Sequence, residues 1–239
     1  MSNNYILKAQ SPAGLAEEYI VKSIYSNYFP AGSDLPAERE LADKIGVTRT
    51  TLREVLQRLA RDGWLNIQHG KPTKVNDIWQ TAGPNIISTL IQLDKSILPT
   101  IITNVVSLRT KMGEHYIPEA IHIDSQASAK LFENLPHLDE TPQAYAEFDY
   151  NLYRNFTFIA NKPVYALILN SFKKLYHQVA SLFFSEEESR KITLTFYQNL
   201  YESCKLGDVK NAIECLNQNR EHSGNIWKAI LHHLPEDFS

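Results

Sequence analysis

The residues with the most readable chemistry are cationic and hydroxylic, and they cluster between positions 39 and 71. Arg39 precedes the run Thr48-Arg49-Thr50-Thr51-Leu52-Arg53, and His69-Gly70-Lys71 follows it. A guanidinium offers two-pronged donors that match O6 and N7 of guanine in the major groove. Threonine hydroxyls at a helix N-terminus suit phosphate oxygens, helped by the positive end of the helix. A glycine-bearing turn with His and Lys can approach the phosphate backbone closely, or enter the minor groove, whose negative potential attracts cations. These types in this order point to double-stranded DNA. The candidate contacts are Arg39, Thr48, Arg49, Thr50, Thr51, Arg53, His69, Gly70 and Lys71.

Such groups work only on a scaffold that presents them together. A first helix is predicted from near Pro36, where a proline is harmless because the first helical N–H has no partner. Leu41 and Ile45 share its inner face. Gly46 supplies a break, and Thr48 is a suitable N-cap for a second helix through Arg61. Leu52, Val55, Leu56 and Leu59 form that helix's buried stripe. Arg49, Thr50 and Arg53 fall elsewhere on its circumference, in the first turn and a half. Gly63 stops the helix, Trp64–Gln68 alternates as a half-buried strand does, His69–Pro72 makes a turn, and Thr73–Val75 returns. This is the order of a winged helix-turn-helix. Any short helical hairpin can mimic half of it, so the weight rests on hairpin, cationic turn and wing together. Trp64 reads as a core anchor.

At 239 residues the chain has room for two modest domains. Its net charge of −3 hides a division. Residues 1–76 hold 10 Lys/Arg against 8 Asp/Glu, and residues 77–239 hold 14 against 19. An acidic second part repels DNA, so it is expected to sense a ligand or to dimerise. Thr81-Ala82-Gly83-Pro84 is the strongest punctuation. The expected organisation is a DNA-binding domain at 1–76, a link at 77–84 and an all-α effector domain at 85–239. Cys204 and Cys215 read as reduced core thiols of a cytosolic protein. No apolar stretch is long enough to span a bilayer, so neither a membrane nor a secretory leader is expected.

Beyond the link nearly everything has helical periodicity. Helices are predicted over Pro99–Ile117, Gln143–Ala160 and Val164–Phe184. Another is predicted from a capping box at Ser185-Glu186-Glu187-Glu188 to about Leu206, and a last one, capped by Asp208, to about His233. The fold class is thus an N-terminal winged helix-turn-helix (α+β) followed by an all-α helical bundle.

PAERELA at 36–42, VTRTTLREVLQRL at 47–59 and DGWL at 62–65 resemble the DNA-binding domain of GntR-family bacterial regulators. KAQSPAG at 8–14 and IQHGKPTKVN at 67–76 resemble the fatty-acid-responsive FadR branch of that family, a likeness that continues more weakly through Trp227. The resemblance implies a homodimer on a pseudo-palindromic operator, with Arg39, Arg49 and Arg53 on DNA and His69 in the wing. It also implies repression of fatty-acid degradation and uptake genes, activation of unsaturated fatty-acid synthesis, and release from DNA by long-chain fatty acyl-CoA. Many relatives hold a metal with an Asp and three His. Here Asp149 matches the Asp, but Tyr153, Tyr197 and Asn219 stand at the histidine positions, and these suit zinc-like ions poorly. No metal and no cofactor are therefore expected.

Tyr153, Phe183 and Tyr197 are expected to line an apolar cavity, with Ser223 and Trp227 on the last helix. By resemblance, Arg109, Tyr153, Phe183, Ser223 and Trp227 are the effector contacts. A buried Arg109 needs a carboxylate, for instance Asp149. Asn219-Arg220 stands where close relatives carry Tyr-Gly, and Phe183 where they carry a tyrosine. Arg220 can pair with a CoA phosphate or obstruct the entrance, so Asn219 and Arg220 join the candidates.

Two other functions compete. One is the same kind of regulator with a different apolar or organic-acid effector. The other is an acyl-thioester enzyme with a DNA-docking arm, which needs an activated nucleophile or base. No G-x-S-x-G elbow, P-loop or His-Glu-x-x-His occurs, and neither cysteine has an identifiable activating His, so no catalytic residue is assigned.

Overall fold

The computed structural model describes residues 11–231. Lys8-Ala9-Gln10 of the opening motif and His232-His233 lie outside the described residues. The chain divides into two compact units between Leu93 and Asp94.

The first unit opens with α1 (Pro12–Tyr25), whose N-cap Ser11 accepts a hydrogen bond from Gly14 N at 3.1 Å. α2 (Glu38–Ile45) and α3 (Arg49–Arg61) form the helix-turn-helix, with Gly46 in the left-handed region at φ 81° between them. Ala16 and Ile20 of α1, Leu41 of α2 and the predicted stripe of α3 are all buried. α2 starts two residues later than predicted, because Ala37 takes the N-cap position and Pro36 precedes it. The wing strands are also shorter than predicted: β1 (Leu65–Asn66) pairs antiparallel with β2 (Lys74–Val75), Leu65 opposite Val75. The other neighbour of β2 is the stretch before α2, where Leu35 N donates to Thr73 O and Val75 N to Ser33 O. Trp64 is 2% exposed, as a core anchor should be.

The stretch 77–84, expected as a link, is structured. α4 (Ile78–Thr81) has Asp77 as its side-chain cap, and Ile78 is buried. Thr81 Oγ1 and Asn76 Nδ2 both donate to Gly63 O, at 2.7 and 3.0 Å. These bonds satisfy the backbone carbonyl of the turn that follows α3. A 3₁₀ turn at Pro84–Ile86 and α5 (Ile87–Leu93) complete the first unit, so its compact part ends later than the punctuation at Gly83-Pro84 suggested.

The second unit is all helical among the described residues: α6 (Leu98–Ile123), α7 (Ser125–Lys130), α8 (Pro142–Ile159), α9 (Pro163–Ser171), α10 (Lys173–Ser185), α11 (Glu187–Leu206) and α12 (Val209–Leu231). Three predictions need correction. α6 runs through Pro118 instead of stopping at Ile117. The lost backbone bond is tolerated because Tyr116, Ile117, Ala120 and Ile121 are buried on both sides of the proline. The long apolar stretch 164–184 is two helices, parted at Phe172, whose ring is buried where the chain leaves helical geometry. Ser185 caps nothing: it is the last residue of α10, and its hydroxyl donates to Leu182 O. Arg190 serves this junction instead, donating to the carbonyls of Phe184 and Ser185. Gly207 ends α11, and Asp208 accepts from Asn211 N at the start of α12, as predicted.

Gly63 has φ +91°, and a Cβ on it would lie 2.6 Å from Ala82 Cα and 2.7 Å from Thr81 O. Gly63→Ala should therefore destabilise the first unit by about 1–3 kcal/mol or more through strain. Gly46→Ala meets nothing within 4 Å and should cost less despite its positive φ. Urea unfolding followed by tryptophan fluorescence compares the two.

Candidate functional site

The first turn of α3 is set by its cap. Thr48 Oγ1 accepts from Thr51 N at 3.1 Å and shares a 2.9 Å hydrogen bond with Thr51 Oγ1. That cap leaves Arg49, Thr50 and Arg53 exposed, with Thr51 partly covered. Arg39 on α2 is exposed too. At the tip of the wing, Lys71 N donates to Gln68 O at 3.2 Å, and Gly70 at φ 72° lets the chain turn there. His69 and Lys71 are exposed on that tip. All the candidate DNA contacts therefore lie in the first unit, on α2, the capped first turns of α3 and the wing tip.

One partner was missed. Arg53 Nε donates to Glu38 Oε2 at 2.6 Å, tying the recognition helix to α2. The two residues stand 15 apart, a spacing that carries no local signal. With the Arg53 side chain 62% exposed, the pair is worth about 0–1 kcal/mol and yields readily to a phosphate. Arg39 and Arg49 have no ion pair among the described residues.

In the second unit, four helices converge on one carboxylate. Asp149 of α8 is 3% exposed. Arg109 Nη2 of α6 donates to its two oxygens, each at 2.5 Å. Tyr176 of α10 donates to one oxygen and Tyr197 of α11 to the other, the latter at 2.7 Å. Arg109 Nε donates in turn to Tyr176 Oη at 2.9 Å, and its guanidinium carbon lies 3.5 Å from the centre of the Tyr153 ring. Burial works against the charge on Arg109, but Asp149 and the surrounding phenols outweigh it and hold the guanidinium ionised. Burial pushes the Tyr153 phenol up to about 12, and burial with the Asp149 carboxylate raises Tyr197 well above the ordinary phenol value. Both stay protonated.

Asp149, Tyr153 and Tyr197 of this cluster are three of the four positions at which the resemblance leads one to look for metal ligands. A carboxylate, two phenols and a guanidinium do not fit a divalent cation, since Arg109 already supplies the positive charge and would repel another. Asn219 lies on α12 and makes no hydrogen bond to Asp149. Among the described residues no group of three or more His, Cys, Asp or Glu could hold a metal.

Beside the cluster opens a cavity of about 330 Å³. Its floor is Arg109, Asp149 and Tyr176, and its walls include Ile102, Val106, Val179 and Phe183. Phe183 stacks on Trp227, ring centres 5.3 Å apart. Arg109, Phe183, Asn219, Arg220, Ser223 and Trp227 of the expected effector set all border this cavity. Tyr153 and Tyr197 do not: Tyr153 lies behind Arg109, and Tyr197 is fully buried against Asp149. A buried ion pair needs donors and a polarisable face around it, and these two rings serve that need rather than the cavity wall. Tyr176 was missed, because helical spacing alone gave its ring an ordinary place in an apolar stripe.

The cysteines lie apart from this chemistry. Burial pushes the Cys204 thiol up to about 12 and raises Cys215 as well, so neither is a ready nucleophile.

Three outcomes follow from this geometry. Arg49→Ala should weaken specific DNA binding by about 1–3 kcal/mol and relax specificity at one base pair, in competition assays against substituted sites. Glu38→Gln should free Arg53 and tighten binding to random DNA a few-fold, about what a surface ion pair is worth. Asp149→Asn should cost about 3–5 kcal/mol by leaving Arg109 buried without a counter-charge. The buried phenols also impose a pH dependence. The unfolded chain releases their protons from about pH 10, whereas folded Tyr153 holds its proton to about 12. Stability is thus whole below the unfolded value and is lost as pH rises through this window, so urea midpoints at about pH 9 and about pH 11 should differ.

The model of the gntR family of bacterial regulatory proteins matches residues 13–75, and that of the FadR C-terminal domain matches residues 76–239. The chain is 58% identical over 238 residues to a fatty acid metabolism regulator protein of Haemophilus influenzae (strain PittGG), covering 100% of this chain and 99% of the relative. It is 54% identical over 234 residues to the protein of that name from Pasteurella multocida, with 98% and 97% covered. A Yersinia pestis (strain Pestoides F) protein of the same name is 47% identical, with 98% of each covered. With a winged helix-turn-helix, a helical second unit and these two matches spanning the chain, this protein belongs to the GntR family of bacterial regulators, in its FadR branch.

Proposed function

We propose that the protein is a homodimeric transcription regulator of fatty-acid metabolism that binds a pseudo-palindromic operator and is released from it by long-chain fatty acyl-CoA. The observation that carries this reading is the cavity of the helical unit. Its walls are largely aliphatic and aromatic, its floor is a neutralised ion pair, and its volume lies at the lower end of the range for small-ligand pockets. An acyl chain suits such walls, and a dicarboxylate would find Arg109 already paired. The relatives are named as regulators of fatty acid metabolism, which supports an effector drawn from that metabolism. Resemblance further suggests repression of degradation and uptake genes and activation of unsaturated fatty-acid synthesis.

A dimer follows from the size of the task. One winged domain presents little surface for a genomic search, and two-fold symmetry doubles the contacts while matching a palindromic site. Among the described residues no helix is long and apolar enough to cross a membrane. The proposed place of action is the cytoplasm, where operator DNA and CoA esters meet.

Linkage sets the size of the response. A ligand that releases DNA must bind the DNA-bound form less tightly by the same factor, and a coupling of about 1–3 kcal/mol gives a roughly 5–150-fold shift. Titrating oleoyl-CoA into a protein–operator complex should lower operator affinity equally with and without EDTA. Trp227→Ala, which removes the stack on Phe183, should blunt the response and leave DNA affinity nearly intact. Unchanged operator affinity at saturating ligand, or a response abolished by the chelator, sinks this reading.

A further inference from the structure

The charges on the cavity floor are spoken for, since Arg109 and Asp149 neutralise each other. The border formed by α6 and α12 is different. Arg220 of α12 reaches across to Glu114 of α6, donating to Oε1, while Lys111 Nζ donates to Oε2 of the same carboxylate at 2.9 Å. The Glu114 side chain is 18% exposed, against 38% for Arg220 and 63% for Lys111, so the carboxylate sits beneath the two cations. Lys228, further along α12, also borders the cavity and has no ion pair among the described residues. Three cations therefore border an apolar cavity, and one half-buried carboxylate answers two of them. Among the described residues the surplus is positive, and it sits where a ligand's head would meet solvent once its chain filled the apolar walls.

We propose that Arg220, with Lys111 and Lys228, forms a phosphate-recognising rim, and that Glu114 is the internal counter-anion that a phosphate-bearing amphiphile displaces on entry. This rests on the reading of the cavity as an acyl-CoA site and specifies how the head is chosen. A multiply charged phosphate head satisfies the surplus cations, whereas a single carboxylate barely exceeds what Glu114 already supplies. The exchange also has a mechanical result. Without ligand, Arg220–Glu114 ties α12 to α6 directly; with ligand, Arg220 turns to the phosphate and that tie is released.

The test uses the full chain, the variants Arg220→Gln and Glu114→Gln, and three probes: oleoyl-CoA, oleate and coenzyme A without an acyl chain. Affinities are read by calorimetry at two salt concentrations. Arg220→Gln should weaken oleoyl-CoA binding about tenfold, as loss of one charge-assisted hydrogen bond does, and should flatten its salt dependence. Oleate binding should change by less than about twofold, since no phosphate contact is lost. Glu114→Gln should strengthen oleoyl-CoA binding severalfold, because the competing anion is gone. Coenzyme A alone should bind weakly, and more weakly still to Arg220→Gln. The rim is overturned if Arg220→Gln binds oleoyl-CoA as tightly as the wild type or more tightly, or loses oleate equally. Displacement is overturned if Glu114→Gln leaves oleoyl-CoA affinity unchanged or weaker. A wild-type protein that binds no oleoyl-CoA removes the proposed effector itself, an outcome distinct from either of these.

Discussion

The helical unit depends on one ion pair. Arg109 and Asp149 are withdrawn from water, and neither charge is tolerable there alone. Their coexistence requires that the remaining hydrogen-bonding capacity be met, and it is met by Tyr176 and Tyr197 from two further helices and by the face of Tyr153. Four helices must hold their mutual register for this to happen, so the cluster specifies one packing among the many that apolar stripes alone would allow. Gly113 belongs to the same constraint. A Cβ on it would lie 2.6 Å from Tyr153 Cε1, so α6 can approach α8 closely only with a glycine there.

The cavity inherits its character from this cluster. Because its charged floor is internally neutral, no ligand anion is needed to stabilise it, and the aliphatic and aromatic walls above it dominate what can enter. At the centre of the cluster a guanidinium supplies the fixed positive charge, and Asp149 already answers it.

The DNA-binding unit follows the opposite logic. Its interior is ordinary apolar packing of α1, α2 and α3, and its candidate DNA contacts are side chains left outside. Burial of Leu52, Val55, Leu56 and Leu59 fixes the rotation of α3, and this rotation alone turns Arg49 and Arg53 outward. The Thr48 cap fixes where the helix begins and so which residues lie at its N-terminal end. Among these candidate contacts, Arg53 is held within the unit by an exposed ion pair to Glu38.

Much of this was legible in the linear sequence. Residues 36–75 carry their fold in local signals, namely a glycine break, a threonine cap, a helical stripe and a glycine-bearing wing tip, because each depends on neighbours only a few residues away. The same is true of the helical character of the second part. Tertiary structure decided what depends on long-range approach. It carried α6 through Pro118, parted α9 from α10 at Phe172 and packed 78–82 against Gly63. It also turned Tyr153 and Tyr197 away from the cavity and joined Arg220 to Glu114 across 106 positions. Helical spacing tells which residues are buried together, but not which buried polar groups will meet. That pairing is fixed only when separate helices dock and each desolvated charge must find its partner.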